Sequence, residues 1–417
     1  MQFNDLQKQY TLIQEEANEA VHRVMASGRY IGGNEVEAFS LELATKLGVK
    51  HVIPCGNGTD ALQIALMAIG LQAGDEVIVP AFTYAATAEA VAILGGIPVF
   101  VDVDERTFNI TPQVIEQAIT PRTRAVIPVH LFGRKAPMQD IEKICKTHSL
   151  YCIEDNAQSL APYSTLHYPS HTQYETPHNS HFPLHVACTS FFPTKNLACM
   201  GDGGAIYTND DILAQRARQI AQHGQVKRYT HEIIGLNSRL DAIQAAILRI
   251  RLRHLDEYIA MRRTIAARYT TALTDWAKEN GILLPSDSTI PCADNVHTAF
   301  SHTVPSCTDT PYTNDSIHTY NQYTLRVPGK STNTTNSQAH RDSLATHLQS
   351  QGIPTMIYYP IPLHHQPAFT QFANLQRSLS TSERLCTEVI SLPIYPGMST
   401  IDQDRIIQSL HSFINRH

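Results

Sequence analysis

A basic excess is missing from this chain of 417 residues: 32 Lys plus Arg stand against 38 Asp plus Glu, a formal net charge of -6. A generic nucleic-acid binder needs surplus cations to neutralise phosphates, so the balance argues against that class. An unbroken apolar run is missing too. The most apolar window, residues 77–101, is interrupted by Pro80, Glu89, Gly95, Gly96 and Pro98, and it reads as strand, helix, strand rather than a membrane span. Residues 1–16 are polar and acidic, without the basic start and apolar core of a signal peptide, so a cytoplasmic protein is expected. The eight cysteines, at 55, 145, 152, 188, 199, 292, 307 and 386, form no C-x-x-C pair, which argues against a zinc ribbon or a disulfide framework. No internal repeat, G-x-G-x-x-G fingerprint or Walker A lysine motif is present, and nicotinamide and ATP chemistry lose ground accordingly.

What is present is alternation. Residues 59–71, 87–94, 114–119 and 140–147 carry helical apolar spacing, while 77–79, 99–101, 125–129 and 151–154 are short β-rich runs between them. Such a series predicts an α/β fold whose mostly parallel sheet is covered by helices on both faces, with ligands bound at the carboxyl ends of the strands. Further on, the pattern predicts strands at 323–327 and 355–359 and helices at 339–351, 382–390 and 401–414, the last opened by Thr400 and Gln403 at capping-box spacing. This second series reads as a smaller α+β domain. The expected division is a large domain over residues 1–270 and a small one over 271–417. Two stretches rich in Ser, Thr and Pro, about 164–185 and 286–316, lack the apolar content for a core and are read as surface insertions. His167, His171, His178, His181 and His185 in the first are irregularly spaced and without nearby Cys or paired carboxylates, so no metal site is expected.

Three motifs carry chemistry. In Gly56-Asn57-Gly58-Thr59-Asp60-Ala61-Leu62 a glycine turn opens a helix, where free N–H groups, the helix dipole and the Thr59 hydroxyl attract a phosphate; the alternative is an ordinary turn with Thr59 or Asp60 as N-cap. In Glu154-Asp155-Asn156-Ala157-Gln158-Ser159 an acid follows the end of a core strand, where it can hold a pyridinium nitrogen protonated while the Gln158 amide donates to a neighbouring phenolate-like oxygen; otherwise Asp155 caps a turn. In Ser190-Phe191-Phe192-Pro193-Thr194-Lys195, followed by Gly201-Asp202-Gly203-Gly204, a lysine among aromatic, Pro and Gly residues can lose solvation and form a Schiff base, with Ser190 adding a phosphate contact; a lone loop lysine is more often just exposed. Together, in this chain order, they are the parts that hold pyridoxal phosphate.

These motifs, with Pro80-Ala81-Phe82-Thr83-Tyr84 and Gly235-Leu236-Asn237-Ser238-Arg239-Leu240-Asp241, resemble the DegT-type sugar-nucleotide aminotransferases, which are fold type I pyridoxal-phosphate enzymes with a seven-stranded sheet. The resemblance covers nearly the whole chain outside the two insertions. It implies Lys195 as the residue bonded covalently to the cofactor and Asp155 as the partner of the pyridine nitrogen. Gln158 would contact the ring hydroxyl, and Tyr84 would stack on the ring. Gly58, Thr59, Asp60 through its backbone, and Ser190 would hold the phosphate. It further implies a homodimer with shared active sites, Asn237 reaching the partner's phosphate, and L-glutamate as amino donor.

The segments 223–229, 234–248 and 358–364 look most like those of members that aminate C3 of a UDP-linked 2-acetamido 3-keto uronic acid for surface polysaccharide. Arg228, Arg239, Tyr359 and His364 are the candidate substrate contacts, with Arg suited to a carboxylate or diphosphate and Arg239 alternatively paired with Asp241. In one place the chain departs from the pattern: Pro162 and the His-rich stretch replace a short glycine-containing hairpin. Amination at C4 is the alternative substrate reading. Lys195 argues against a sugar dehydratase, whose known examples carry His in its place, and a complete Lys, Asp and phosphate set would be surplus in a ligand sensor that keeps the cofactor fold without catalysis.

Overall fold

Seven short runs pair into one sheet in the computed structural model, which describes residues 1–160, 185–285, 318–329, 334–375 and 379–413. The strands are β1 (His51–Cys55), β2 (Glu76–Pro80), β3 (Ile97–Val101), β4 (Thr123–Val126), β5 (Tyr151–Asp155), β6 (His185–Ser190) and β7 (Gly204–Thr208), in the spatial order β1-β7-β6-β5-β4-β2-β3. From β3 to β6 every pairing is parallel, and β7 runs antiparallel to both β6 and β1. The expected mostly parallel, seven-stranded α/β sheet is therefore present. Strands β2, β5 and β7 are buried along their whole length, as continuous apolar runs covered on both faces must be.

Two antiparallel steps make β1 parallel to β6. The carboxyl ends of β1, β2, β5 and β6 thus share one edge with the start of β7, where Gly204 lies opposite both Cys55 and Ser190. The helices Gly58–Ala68, Ala86–Ala92 and Asp211–Ala221 pack their buried residues into one cluster on the sheet. Other clusters are built from the helices Asn34–Leu47 and Ala242–Arg253, and from Pro112–Ala118 and Met138–Thr147. The long helix Leu255–Glu279 begins in the Asn34–Leu47 cluster with Leu255 and Ile259, and from Ile265 onward it joins a separate core. That second core also holds residues of the helices Thr334–Ser350 and Thr400–Ser412 and of an antiparallel pair, Tyr323–Arg326 with Val389–Leu392. No helix among the described residues is long and apolar enough to cross a membrane.

The structure corrects four local readings. The helix expected over 382–390 ends at Glu388, and Val389–Leu392 is a strand: its β-branched and apolar residues are fully buried against Tyr323–Arg326, and that pairing outweighs the helical spacing before it. The strand expected at 355–359 is reduced to a single bridge between Met356 and Ser391, because Ile357, Tyr358 and Tyr359 pack sideways on the cluster containing Phe82 and Phe108. The last helix is capped by Ser399, whose hydroxyl accepts from the Asp402 N–H at 3.1 Å, so the cap lies one residue before Thr400. His185 belongs to β6 and is buried, whereas the other four histidines of the first insertion and the whole second insertion, 286–316, lie outside the described residues.

Candidate active site

The glycine turn follows β1 and opens the helix Gly58–Ala68. Its N-cap is Asn57, whose Oδ1 accepts from the Asp60 N–H at 2.8 Å, so neither Thr59 nor Asp60 is the cap and the Asp60 N–H is already engaged. The Asp60 carboxylate turns the other way and accepts from Ser238 Oγ at 2.6 Å, while Ser238 accepts from the Gly56 N–H at 2.9 Å. Among the described residues no acceptor meets the N–H of Gly58 or Thr59, which leaves two donors at the positive end of the helix dipole. Ser190, at the end of β6, comes so close to this turn that a Cβ on Gly58 would lie 2.7 Å from its own Cβ. A Cβ on Gly204 would lie 2.4 Å from the Asn57 carbonyl carbon. Only glycine at both positions lets the three strand ends close into one cradle.

Asp155 ends β5 on the same edge. Thr87 Oγ1 donates to its Oδ2 at 3.0 Å and the Ala157 N–H donates to Oδ1 at 3.2 Å. Burial pushes the Asp155 carboxyl above the ordinary carboxylate range, against the pull of those two donors and of the positive charge on Lys195. Gln158 lies one turn on. Its Oε1 accepts from the Phe132 N–H at 2.6 Å, so its NH2 end faces the other way, 3.3 Å from the Tyr359 hydroxyl.

Lys195 follows β6 in the loop after Ser190, with its backbone N–H tied to the Phe192 carbonyl at 2.9 Å. Burial lowers its amine below the usual lysine range, opposed by the Asp155 charge. No hydrogen bond among the described residues holds the amine. Its neighbour Asn196 reaches the Gln158 carbonyl at 3.4 Å and Thr319 Oγ1 at 2.7 Å, which ties the lysine loop to the acid loop.

The remaining expected contacts divide. Tyr84 is 60 % exposed and its ring lies 6.1 Å from that of Tyr359, which in turn meets Gln158, so both belong to the edge that carries Asp155. Asn237, Arg228 and Arg239 are exposed, and Arg228 stacks on Tyr229 5.0 Å from the ring centre. Among the described residues no hydrogen bond or ion pair links these three to Lys195. His364 is buried, and its Nε2 faces Glu383 Oε1 at 3.1 Å. His364, His365 and Glu383 offer donor atoms within 4.8 Å of one another, although no metal ligation was expected there. Three contributors escape sequence reasoning: Asn57, the cap; Thr87, an unremarkable threonine on an apolar helix; and His130, which follows β4 and whose ring binds Glu154 at 2.6 Å.

The donor set fits pyridoxal phosphate on three counts. Two unused N–H groups lie in a cradle that any Cβ at Gly58 or Gly204 would fill, a buried acid has a hydroxyl partner, and a desolvated amine has no hydrogen bond among the described residues. Comparison with known proteins agrees. Over 400 residues the chain is 42 % identical to a UDP-2-acetamido-2-deoxy-3-oxo-D-glucuronate aminotransferase of Pseudomonas aeruginosa, covering 96 % of each chain. It superposes on S. venezuelae DesV with a TM-score of 0.82 at 35 % identity, covering 100 % of this chain and 99 % of that one. For NtdA of Bacillus subtilis, solved with its cofactor PMP bound, the TM-score is 0.78 at 30 % identity, over 95 % of this chain and 81 % of the other. Residues 11–411 match the sequence profile of the DegT/DnrJ/EryC1/StrS aminotransferase family, and the chain is a pyridoxal-phosphate-dependent member of it.

Proposed function

We propose that this aminotransferase moves an amino group from L-glutamate to C3 of a UDP-linked 2-acetamido 3-keto uronic acid, in a route to surface polysaccharide. The observation that carries the reading is the pairing of a desolvated Lys195 with a buried Asp155 on the sheet edge that also bears the glycine cradle. The similarity over 96 % of the chain to an enzyme named for such a sugar supports the substrate.

Bound here, pyridoxal phosphate supplies an electron-accepting ring that stabilises negative charge on the carbon next to the transferred nitrogen. The protein does the rest. Gly58 and Thr59 N–H groups, with the Thr59 and Ser190 hydroxyls, receive the phosphate. Asp155 keeps the ring nitrogen protonated, Gln158 donates to the ring oxygen, and Tyr84 stacks on the face. Lys195 would be the base that takes the proton from the glutamate Cα and, in the second half-reaction, the acid that returns one to C3 of the sugar. The exposure of Asn237, Arg228 and Arg239 is consistent with a homodimer in which they complete the partner's site, Asn237 at its phosphate and the arginines at the sugar carboxylate or diphosphate. Tyr359 lies beside Gln158 and Tyr84, where it would meet the substrate. His364, turned to Glu383, is better placed to hold its own segment than to meet substrate.

The test is to incubate purified protein with L-glutamate and a panel of UDP- and dTDP-linked keto sugars, then locate nitrogen in the product by NMR. Nitrogen on C3 of a UDP sugar is expected. Nitrogen on C4, or turnover of dTDP sugars alone, would overturn the substrate assignment and leave aminotransfer standing.

A further inference from the structure

Behind the acid loop lies a buried group that the reaction does not use. His130 Nε2 is 2.6 Å from Glu154 Oε2, and the other carboxylate oxygen meets His185 Nε2. All three side chains are buried. His130 Nδ1 accepts the Ala136 N–H at 3.1 Å, and a backbone N–H can only donate, so the ring proton sits on Nε2 and points at Glu154. The tautomer is fixed by its surroundings. His130 therefore holds the loop 130–136 at both ends: its backbone N–H donates to the Asp155 carbonyl at 3.1 Å, and its ring takes the far end at Ala136.

Inside that loop Phe132 has φ 60, a left-handed conformation that is strained for a bulky residue and persists only where neighbours impose it. The donor that this turn presents is the Phe132 N–H, which meets Gln158 Oε1. From the other side Thr319 Oγ1 and Asn196 Nδ2 hold the Gln158 carbonyl at 3.2 and 3.4 Å. With its oxygen end committed to Phe132, the Gln158 amide can present only its NH2 group to the pocket.

We propose that His130, anchored by Glu154, is a positioning residue that holds the strained turn at Phe132 and thereby fixes the Gln158 amide as a donor toward the ring oxygen of the cofactor. The proposal rests on the reading of Gln158 given above.

Two substitutions divide the imidazole in half. His130→Asn keeps an acceptor at the Nδ1 position for Ala136, whereas His130→Gln keeps a donor at the Nε2 position for Glu154 and drops the clasp. The readouts are the dissociation constant of pyridoxal phosphate and the pH at which the visible absorption of the bound cofactor changes. His130→Asn should stay within about twofold of the parent, while His130→Gln should bind cofactor about tenfold more weakly and shift the absorption midpoint in the same sense as Gln158→Ala. The double substitution His130→Gln with Gln158→Ala should add nothing further. Equal effects of Asn and Gln, or an additive double variant, would overturn the proposal. Should His130→Gln not fold, Glu154→Leu, which leaves the imidazole in place without an acceptor for its Nε2–H, should shift the midpoint by less and only while Gln158 is present; a shift that survives Gln158→Ala would count against it. If Gln158→Ala alone leaves the spectrum unchanged, the role given to Gln158 fails first, and the two failures are told apart.

Discussion

Thr87 Oγ1 stands 3.0 Å from Asp155 Oδ2, and 3.2 Å behind it stands Thr83 Oγ1, so the buried acid rests on a short chain of hydroxyls from the helix Ala86–Ala92 and the turn before it. The first link matters because it opposes the upward push of burial on the carboxyl. Thr87→Val should raise the Asp155 value further, move the acid limb of the kcat profile to higher pH and lower turnover about tenfold. Asp155→Asn should keep the fold and cost several orders of magnitude, since an amide cannot hold the pyridinium proton. Stopped-flow half-reactions with glutamate across pH check both, and near-normal turnover of Asp155→Asn would reduce the residue to a turn former.

Lys195 is held away from water at a cost to the fold, because burial lowers its amine toward the neutral form. Lys195→Met should therefore abolish turnover and the visible absorption of the bound cofactor, yet stabilise the cofactor-free protein by about 1 kcal/mol at neutral pH. Thermal melts of the apo proteins measure the second effect. A less stable variant would show that the amine contributes to packing instead.

Gly204 meets the Asn57 carbonyl carbon where a Cβ would lie 2.4 Å away, and backbone cannot yield as a side-chain tip can. Gly204→Ala should destabilise by about 1–3 kcal/mol and weaken cofactor retention, because the turn must retreat from Ser190 to make room. Denaturant unfolding with and without cofactor separates the two losses.

The pair behind the site gives stability a pH dependence. Burial pulls the His185 value down, but the Glu154 carboxylate and Glu142 pull it up with net effect upward, despite Lys135; the histidines beside Glu154 hold that carboxyl well below its ordinary range against burial. A raised histidine contributes fully below its unfolded value of 6.5 and loses that contribution as pH climbs through the folded one. A depressed glutamate contributes above 4.5 and fades only in stronger acid. Stability should thus be greatest between those two values and decline above 6.5. In His185→Gln the alkaline decline should disappear, which urea unfolding at a series of pH values would show.

The parts of the fold that the sequence disclosed are those where one periodicity rules a segment. Short apolar runs at 77–79 and 151–154 announced β2 and β5, and Asp155 and Asn156 directly after the second run announced the site. Val389–Leu392 stayed hidden because it follows the helix Ser380–Glu388 without a break, and its partner strand lies more than 60 residues upstream. Thr87 was illegible for a different reason: a hydroxyl on an apolar helix gives no sign of which strand end it will face. His185 was read with the histidines before it, and only the pairing of β6 with β5 sets it beside Glu154.

The insertion of β7 between β1 and β6 has a consequence for the order in which the molecule is made. Cys55 and Gly204 are register partners, yet they lie 149 positions apart in the chain. A nascent chain can form the helix after the glycine turn early, but the wall that brings Asn57 against Gly204 exists only once β7 has been synthesised and threaded between its neighbours. Cofactor capture is therefore a late event in the life of each chain. It marks completion of the sheet and cannot serve as the template on which the sheet assembles.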